Sequence, residues 1–388
     1  MTSSLLYAYI RSYSPRSTTT PSPSTNLYIP ITNLPSTDLR LRREFIAVLK
    51  HADIELSQLL TLDDLPATSS RAASLKPENT RWILVDHNAL QGDLGKLYSS
   101  RVVGVIDHHD EENAVREDTG DEPRIITNSG ACTSLVTEYC RDAWDALSAS
   151  QVQGHTTQET ATWDAQVAQV ALASVLIDTS NLTSKMTEHD QTAFEYLMLK
   201  IKRSPEHATS FNRDAFFSEI SRAKKDLDPL SVRDVLRKDY KQWTIMKGDG
   251  ESKQLGMSSV VKSLSWLDAK AKAEGTGLID VVKDYVESVD LQVFALMTAK
   301  IKTSQTDGNV LRKELLIYSR DQDCVGSIES FEKTAKDELG LEDWVDEKGL
   351  GLSAEIEATT AWCRIYRQKA VEKGRKQVAP LLRKALEL

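Results

Sequence analysis

Val102-Val103-Gly104-Val105-Ile106 is an unbroken apolar run, and it ends in Asp107-His108-His109. The run is too continuous for a half-exposed strand and reads as a buried parallel one. In open α/β sheets the carboxyl ends of such strands are where ligands bind. Here that end presents a carboxylate and two imidazoles, a donor mix that suits a divalent transition metal such as Mn²⁺ or Co²⁺. A chance histidine pair in a surface turn is the competing explanation while the tripeptide is taken alone.

The pattern recurs. Trp82-Ile83-Leu84-Val85 ends in Asp86-His87-Asn88, and a longer apolar run from Val167 to Ile177 ends in Asp178-Thr179. Three loops from one sheet edge, each opening on an Asp, can converge on one metal cluster. The alternation of strand-like and helix-like segments over residues 27–180 predicts a doubly wound, mostly parallel α/β sheet. Gly130-Ala131-Cys132-Thr133-Ser134 precedes a helical pattern, so its backbone N–H groups are candidates for holding phosphate.

The 388 residues suggest two domains. The expected divisions are 1–205, carrying the Asp and His motifs, and 213–388, a smaller mixed α+β domain. The active site is expected in the cleft between them. Within the second domain, Leu291–Ala299 and Leu315–Ser319 read as strands and Glu355–Lys369 as a helix. No stretch approaches the ~20 apolar residues of a membrane span, and the opening residues have no basic region followed by an apolar core, so no secretory signal is expected. Four scattered cysteines without Cys-x-x-Cys spacing read as reduced thiols, which points to the cytoplasm.

The formal net charge of -9 argues against a broad surface for long nucleic acid. A polyanion remains possible where cations are concentrated. Arg364 to Lys384 holds eight basic residues and one acid, Glu372. Charge alone leaves a phosphate-binding segment and a solvated basic helix face equally open.

The order Val-Asp-His-Asn (85–88), Ile-Asp-His-His (106–109) and Ile-Asp-Thr (177–179) resembles the DHH phosphoesterase superfamily, which includes family II inorganic pyrophosphatases, fungal exopolyphosphatases, the prune proteins and single-strand exonucleases. Asp239-Tyr240-Lys241 and Gly374-Arg375-Lys376-Gln377-Val378-Ala379-Pro380 are similar to the C-terminal substrate-binding signatures that all of these share except the exonucleases. Ile29-Pro30-Ile31-Thr32-Asn33-Leu34 with Asp38-Leu39-Arg40-Leu41-Arg42 resembles the fungal exopolyphosphatase branch.

The resemblance implies metal-dependent release of orthophosphate from the ends of inorganic polyphosphate. It implies Asp86, His108 and Asp178 as metal ligands, with Mn²⁺ favoured over Mg²⁺ or Co²⁺. It implies His109 as a hydrogen-bond donor or acid toward the substrate phosphate, and Lys241, Arg375 and Lys376 as phosphate-binding groups. Asp107 is either an orienting carboxylate or a plain strand-end acid. The family's first strand and Asp-x-Asp loop, which supply ligands to both of two metals, have no counterpart here. The opening Met1 to Ser12 is similar to the helix that follows them. These 388 residues alone are therefore expected to be weak or inactive as a phosphohydrolase. An inactive phosphate-binding or interaction protein is one alternative. A pyrophosphatase or a prune-like short nucleotide phosphodiesterase is another. The oligomeric state stays open.

Overall fold

Trp82–Val85 (β1), Val102–Asp107 (β2) and Arg124–Ile126 (β3) form a three-stranded parallel sheet with β2 in the middle. Val85 pairs with Ile106, and Ile106 with Ile125. Every residue of β2 is buried, as its unbroken apolar run requires. The computed structural model describes residues 1–14, 27–65, 75–150, 156–246, 250–304, 308–345 and 351–387. They divide into two compact units, Met1–Lys224 and Lys225–Leu388.

In the first unit most of the core beside the sheet comes from α1 (Thr2–Tyr13), α2 (Cys132–Ala149), α3 (Thr157–Asp178) and α4 (Glu188–Arg203). Leu6 and Ile10 of α1, Val136 and Trp144 of α2, Leu172 and Leu176 of α3, and Leu197 of α4 belong to one buried cluster with Ile106. A separate parallel pairing joins Ile31 to Leu60 and Thr32 to Thr61. Among the described residues no helix is long and apolar enough to cross a membrane.

The run from Val167 to Ile177 is no strand. It is the last half of α3, and Asp178 is the final residue of that helix. A helix buried on most of its circumference loses the polar face that would reveal its period, so it reads like a buried strand. Asp178 is thus delivered by a helix end and Asp86 by a strand end.

Residues Arg213–Lys225 form α5. The division into units falls after Lys224, so nearly all of this helix lies with the first unit. The second unit is a mixed six-stranded sheet: Tyr240–Met246 (β4), Ser252–Val260 (β5), Val293–Ser304 (β6), Gly308–Ser319 (β7), Leu341–Asp343 (β8) and Trp362–Gln368 (β9), in the order β8-β9-β7-β6-β5-β4. Only β5 and β6 pair in parallel. Val325–Leu339 (α6) and Arg375–Leu386 (α7) pack Ile328, Phe331, Val378 and Leu382 against Val293, Ala295 and Ile317 of one sheet face. Phe294, which alternates to the other face, meets Tyr285 of the helix Leu278–Ser288 edge-on.

The expected helix over Glu355–Lys369 is also corrected. A short helix, Leu352–Ala358, ends before Thr359, and β9 follows. Trp362, Ile365 and Tyr366 are β-prone residues, and seven positions of β9 pair with β7.

Candidate metal centre

Asp86 is the first residue past β1, and it stands in the left-handed region at φ 69. Its N–H still donates to the Ile106 carbonyl at 3.1 Å, so the sheet ladder reaches into the loop. Asp tolerates this backbone better than most residues. The conformation still carries a strain that persists only where surrounding structure enforces it. It places a carboxylate oxygen 3.3 Å from Nε2 of His108. The ligand atoms of Asp86, His108 and His109 lie within 4.8 Å of one another, a group able to hold a metal ion.

Both imidazoles are fixed from behind. Nδ1 of His108 lies 3.0 Å from the Ser129 carbonyl, and Nδ1 of His109 lies 2.8 Å from Asp107 Oδ1. A carbonyl only accepts, so His108 Nδ1 carries the proton and Nε2 is the ligating atom. Asp107 is fully buried and is tied into place by three donors. They are the His109 ring, the Asn88 side chain at 2.6 Å and the His108 N–H at 2.8 Å. Burial pushes its pKa up, but the hydrogen bonds from His109, Asn88 and the His108 N–H outweigh burial and hold it at about 2. Asp107 is therefore an ionised orienting group whose oxygens are already engaged.

Asp86 itself titrates below the usual carboxylate range. Burial opposes this, and the His108 hydrogen bond overcomes it with help from the charges of the two histidines. Asp178 shifts the other way. Its side chain is exposed at the end of α3, yet the protein around it desolvates the carboxylate and pushes it up to about 6. Lys224 opposes that rise, and the negative Asp86 adds to it. Asp178 thus shares the electrostatic neighbourhood of Asp86 and His108, while the tight three-residue group contains His109 instead.

The donor set fits a divalent ion. An acceptor oxygen of Asp86 and the ligating nitrogen of His108 face each other at 3.3 Å, an arrangement that needs a cation between them, whether a proton or a metal.

In the second unit, Arg375 at the start of α7 donates to the carboxylate and the main-chain carbonyl of Asp239, each at 2.8 Å. This brings Gly374-Arg375-Lys376 against Asp239-Tyr240-Lys241. Lys376 and Lys241 are both exposed, Lys241 on β4. Much of the basic run is already paired: Arg364 with Glu332, Lys369 with Glu342 and Lys373 with Glu338.

The family model of the DHHA2 domain matches residues 218–385. A Schizosaccharomyces pombe protein named "Putative exopolyphosphatase" is 30% identical over 360 residues, covering 92% of this chain and 82% of its own length. The chain belongs to the DHH phosphoesterases that carry a DHHA2 domain. "Exopolyphosphatase PRUNE1" of Mus musculus is 22% identical over 93% of this chain and 68% of its own length. The fold of this DHH phosphoesterase is also that of a "putative family II inorganic pyrophosphatase" from Methanococcus jannaschii. That structure aligns with a TM-score of 0.51 at 18% identity, over 92% of this chain and 91% of the other.

Three groups of this centre escaped the sequence reading: Asn88, the Ser129 carbonyl and Asp190. Asn88 stands beside the Asp86 motif and was legible as a neighbour. Asp190 reads locally as nothing more than the capping-box partner of Thr187. The structure also revises the expected phosphate site at Gly130–Ser134. The N–H groups of Gly130 and Ala131 donate to Asp190, at 2.8 and 3.0 Å, so an internal anion already holds that helix start.

Proposed function

We propose that this DHH phosphoesterase hydrolyses the terminal phosphoanhydride bonds of inorganic polyphosphate with a divalent metal, Mn²⁺ before Mg²⁺ or Co²⁺, held by Asp86, His108 and Asp178. The observation that carries the reading is the convergence of Asp86, His108 and His109 at the carboxyl edge of the parallel sheet. The name of the fission yeast relative supports polyphosphate over pyrophosphate as the substrate. Four buried, unbridged cysteines suit a reducing compartment, taken here as the cytoplasm.

A bound divalent ion supplies charge neutralisation at the phosphoryl oxygens and lowers the pKa of a water. The chain's own groups do the rest. His108, fixed through Nδ1, presents Nε2 to the ion. His109, anchored by ionised Asp107, holds a proton at Nε2 for the phosphate oxygen that departs. Lys241, Arg375 and Lys376 neutralise the phosphates of the polyanion, Arg375 through the N–H groups that Asp239 leaves open and the lysines as point charges.

Orthophosphate release from polyphosphate and from pyrophosphate, with each metal, tests the reading in wild type and His108→Ala. Metal-dependent release that His108→Ala abolishes supports it. Equal metal affinity in the two proteins removes His108 from the ligand set, and a preference for pyrophosphate overturns the substrate. The second reading is a phosphate-binding protein without turnover. It is favoured by the single metal-capable group among the described residues, where phosphoryl hydrolysis of this kind uses two metals. Polyphosphate binding without release is its signature.

A further inference from the structure

The Asp190 carboxylate is fully buried and gathers donors from two segments of the chain. Its Oδ2 accepts from Gly130 N, Thr187 N and Thr187 Oγ1, each at 2.8 Å. Its Oδ1 accepts from Ala131 N at 3.0 Å and Ser134 Oγ at 2.7 Å. The Ser129 hydroxyl divides its one proton between Asp190 Oδ1 at 3.2 Å and the Ala131 carbonyl at 3.1 Å. A helix cap needs only the Thr187 bonds. The remaining four contacts reach residues 56 to 61 positions away and all fall on the segment 129–134.

That segment does one thing for the metal centre. Its Ser129 carbonyl accepts from His108 Nδ1 at 3.0 Å. The carbonyl thereby selects the tautomer of His108 and aims Nε2 at Asp86. The segment also has no freedom to drift. A Cβ on Gly130 would stand 2.7 Å from the Lys185 carbonyl, 2.7 Å from Thr179 Cγ2 and 2.8 Å from Asp190 Oδ2. Thr179 is the neighbour of Asp178, so the same close packing ties the segment to the end of α3.

We propose that Asp190 is a positioning residue of the metal centre: it clamps the 129–131 segment, whose Ser129 carbonyl holds His108 in its metal-ligating tautomer. The inference rests on His108 being a ligand, as proposed above. Groups that act behind the ligands in this way change metal affinity by about 10–100-fold when removed. Asp190 is set apart from a purely structural capping residue by where its loss is felt.

Asp190→Asn tests this. The amide keeps the shape, but it turns an N–H₂ toward donors that now face a carboxylate oxygen, so the segment must move. In the metal-free full chain, ¹⁵N NMR of the histidine rings reads the tautomer of His108. Without metal, the wild type is expected to show a proton on Nδ1, held by the Ser129 carbonyl, alongside the Nε2 proton that faces Asp86. Asp190→Asn is expected to lose the Nδ1 proton in part, so that the Nε2–H tautomer appears, and to bind Mn²⁺ at least tenfold more weakly. Gly130→Ala keeps the Asp190 carboxylate but crowds the same segment against the Lys185 carbonyl, Thr179 and Asp190 Oδ2, and it carries the test if Asp190→Asn does not fold. It is expected to shift the His108 tautomer in the same way. A variant that is thermally destabilised but keeps the wild-type His108 ring signals and Mn²⁺ affinity overturns the proposal and leaves Asp190 as a cap. A wild type that binds no Mn²⁺ refutes the ligand assignment instead, and the ring signals still report on Asp190.

Discussion

Arg375 grips Asp239 through two guanidinium nitrogens, one on the carboxylate and one on the main-chain carbonyl, both at 2.8 Å and across 136 positions of sequence. Only a planar fork makes both bonds at once. Arg375→Lys is therefore expected to lose about 1 kcal/mol of stability in urea denaturation, because the contact is partly exposed and screened. Arg375→Ala combined with Lys376→Ala is expected to weaken polyphosphate binding at least tenfold at fixed moderate salt, with Mn²⁺ affinity unchanged. An unchanged polyphosphate affinity would make this segment a solvated helix face.

The carboxylates of the metal centre respond to pH with opposite signs. Asp178 is pushed up to about 6, so the folded chain binds its proton more tightly than the unfolded chain does. The stability it contributes is complete below the ordinary carboxylate range and is lost as pH rises through about 6. Asp178→Asn should gain on the wild type across that window, with the difference vanishing in acid. Asp107, held at about 2, contributes stability above the ordinary carboxylate range and loses it as pH falls toward about 2. Asp107→Asn should be less stable than wild type at neutral pH, by a margin that narrows on acidification. Urea unfolding of the metal-free protein across this range, followed by tryptophan fluorescence, reads both. Parallel curves for either variant and wild type would refute the corresponding assignment.

The strands that frame the centre were legible because burial on both faces leaves an unbroken apolar run, and Trp82–Val85 and Val102–Ile106 carry that mark. The same mark misled at Val167–Ile177, where a helix is buried nearly all round and shows no polar stripe. The Asp and His residues at the strand ends announced the centre, since few other roles concentrate those groups there. What holds them was not legible. The Ser129 carbonyl is a backbone group with no sequence signature, and Asp190 meets residues 129–134 only through the packing of α4 against α2. The basic run after Arg364 overstated the available positive charge, because its acidic partners Glu332, Glu338 and Glu342 lie on other elements.

Asp86 separates strain from chemistry. Its φ of 69 suits glycine better than any residue with a Cβ. Asp86→Gly and Asp86→Ala both remove the carboxylate, and each is expected to lower Mn²⁺ affinity strongly in calorimetry. Their stabilities should differ, with the glycine variant about 1 kcal/mol more stable than the alanine variant. Equal stabilities would mean that the loop relaxes out of the left-handed region and that the strain is not enforced by the sheet.

Among the described residues of the first unit, Lys200 is the largest charged side chain that is fully buried. Its ammonium sits 2.6 Å from Ser148 Oγ, 3.0 Å from Asp145 and 3.5 Å from the buried Asp164. It also lies over the rings of Trp144 and Tyr196. Asp164 in turn accepts from Trp144 Nε1 and Ser148 Oγ. Replacing Lys200 by Met keeps the volume but leaves the Asp164 carboxylate uncompensated, which typically costs about 3–5 kcal/mol. Lys200→Met is expected to lose stability on that scale in urea denaturation, and the further change Asp164→Asn should recover part of it by removing the stranded charge. Mn²⁺ affinity of the folded protein should stay at the wild-type value in both variants. A loss of metal binding at full stability would show that this network reaches the metal centre through α2 and α4, and that the two are not independent.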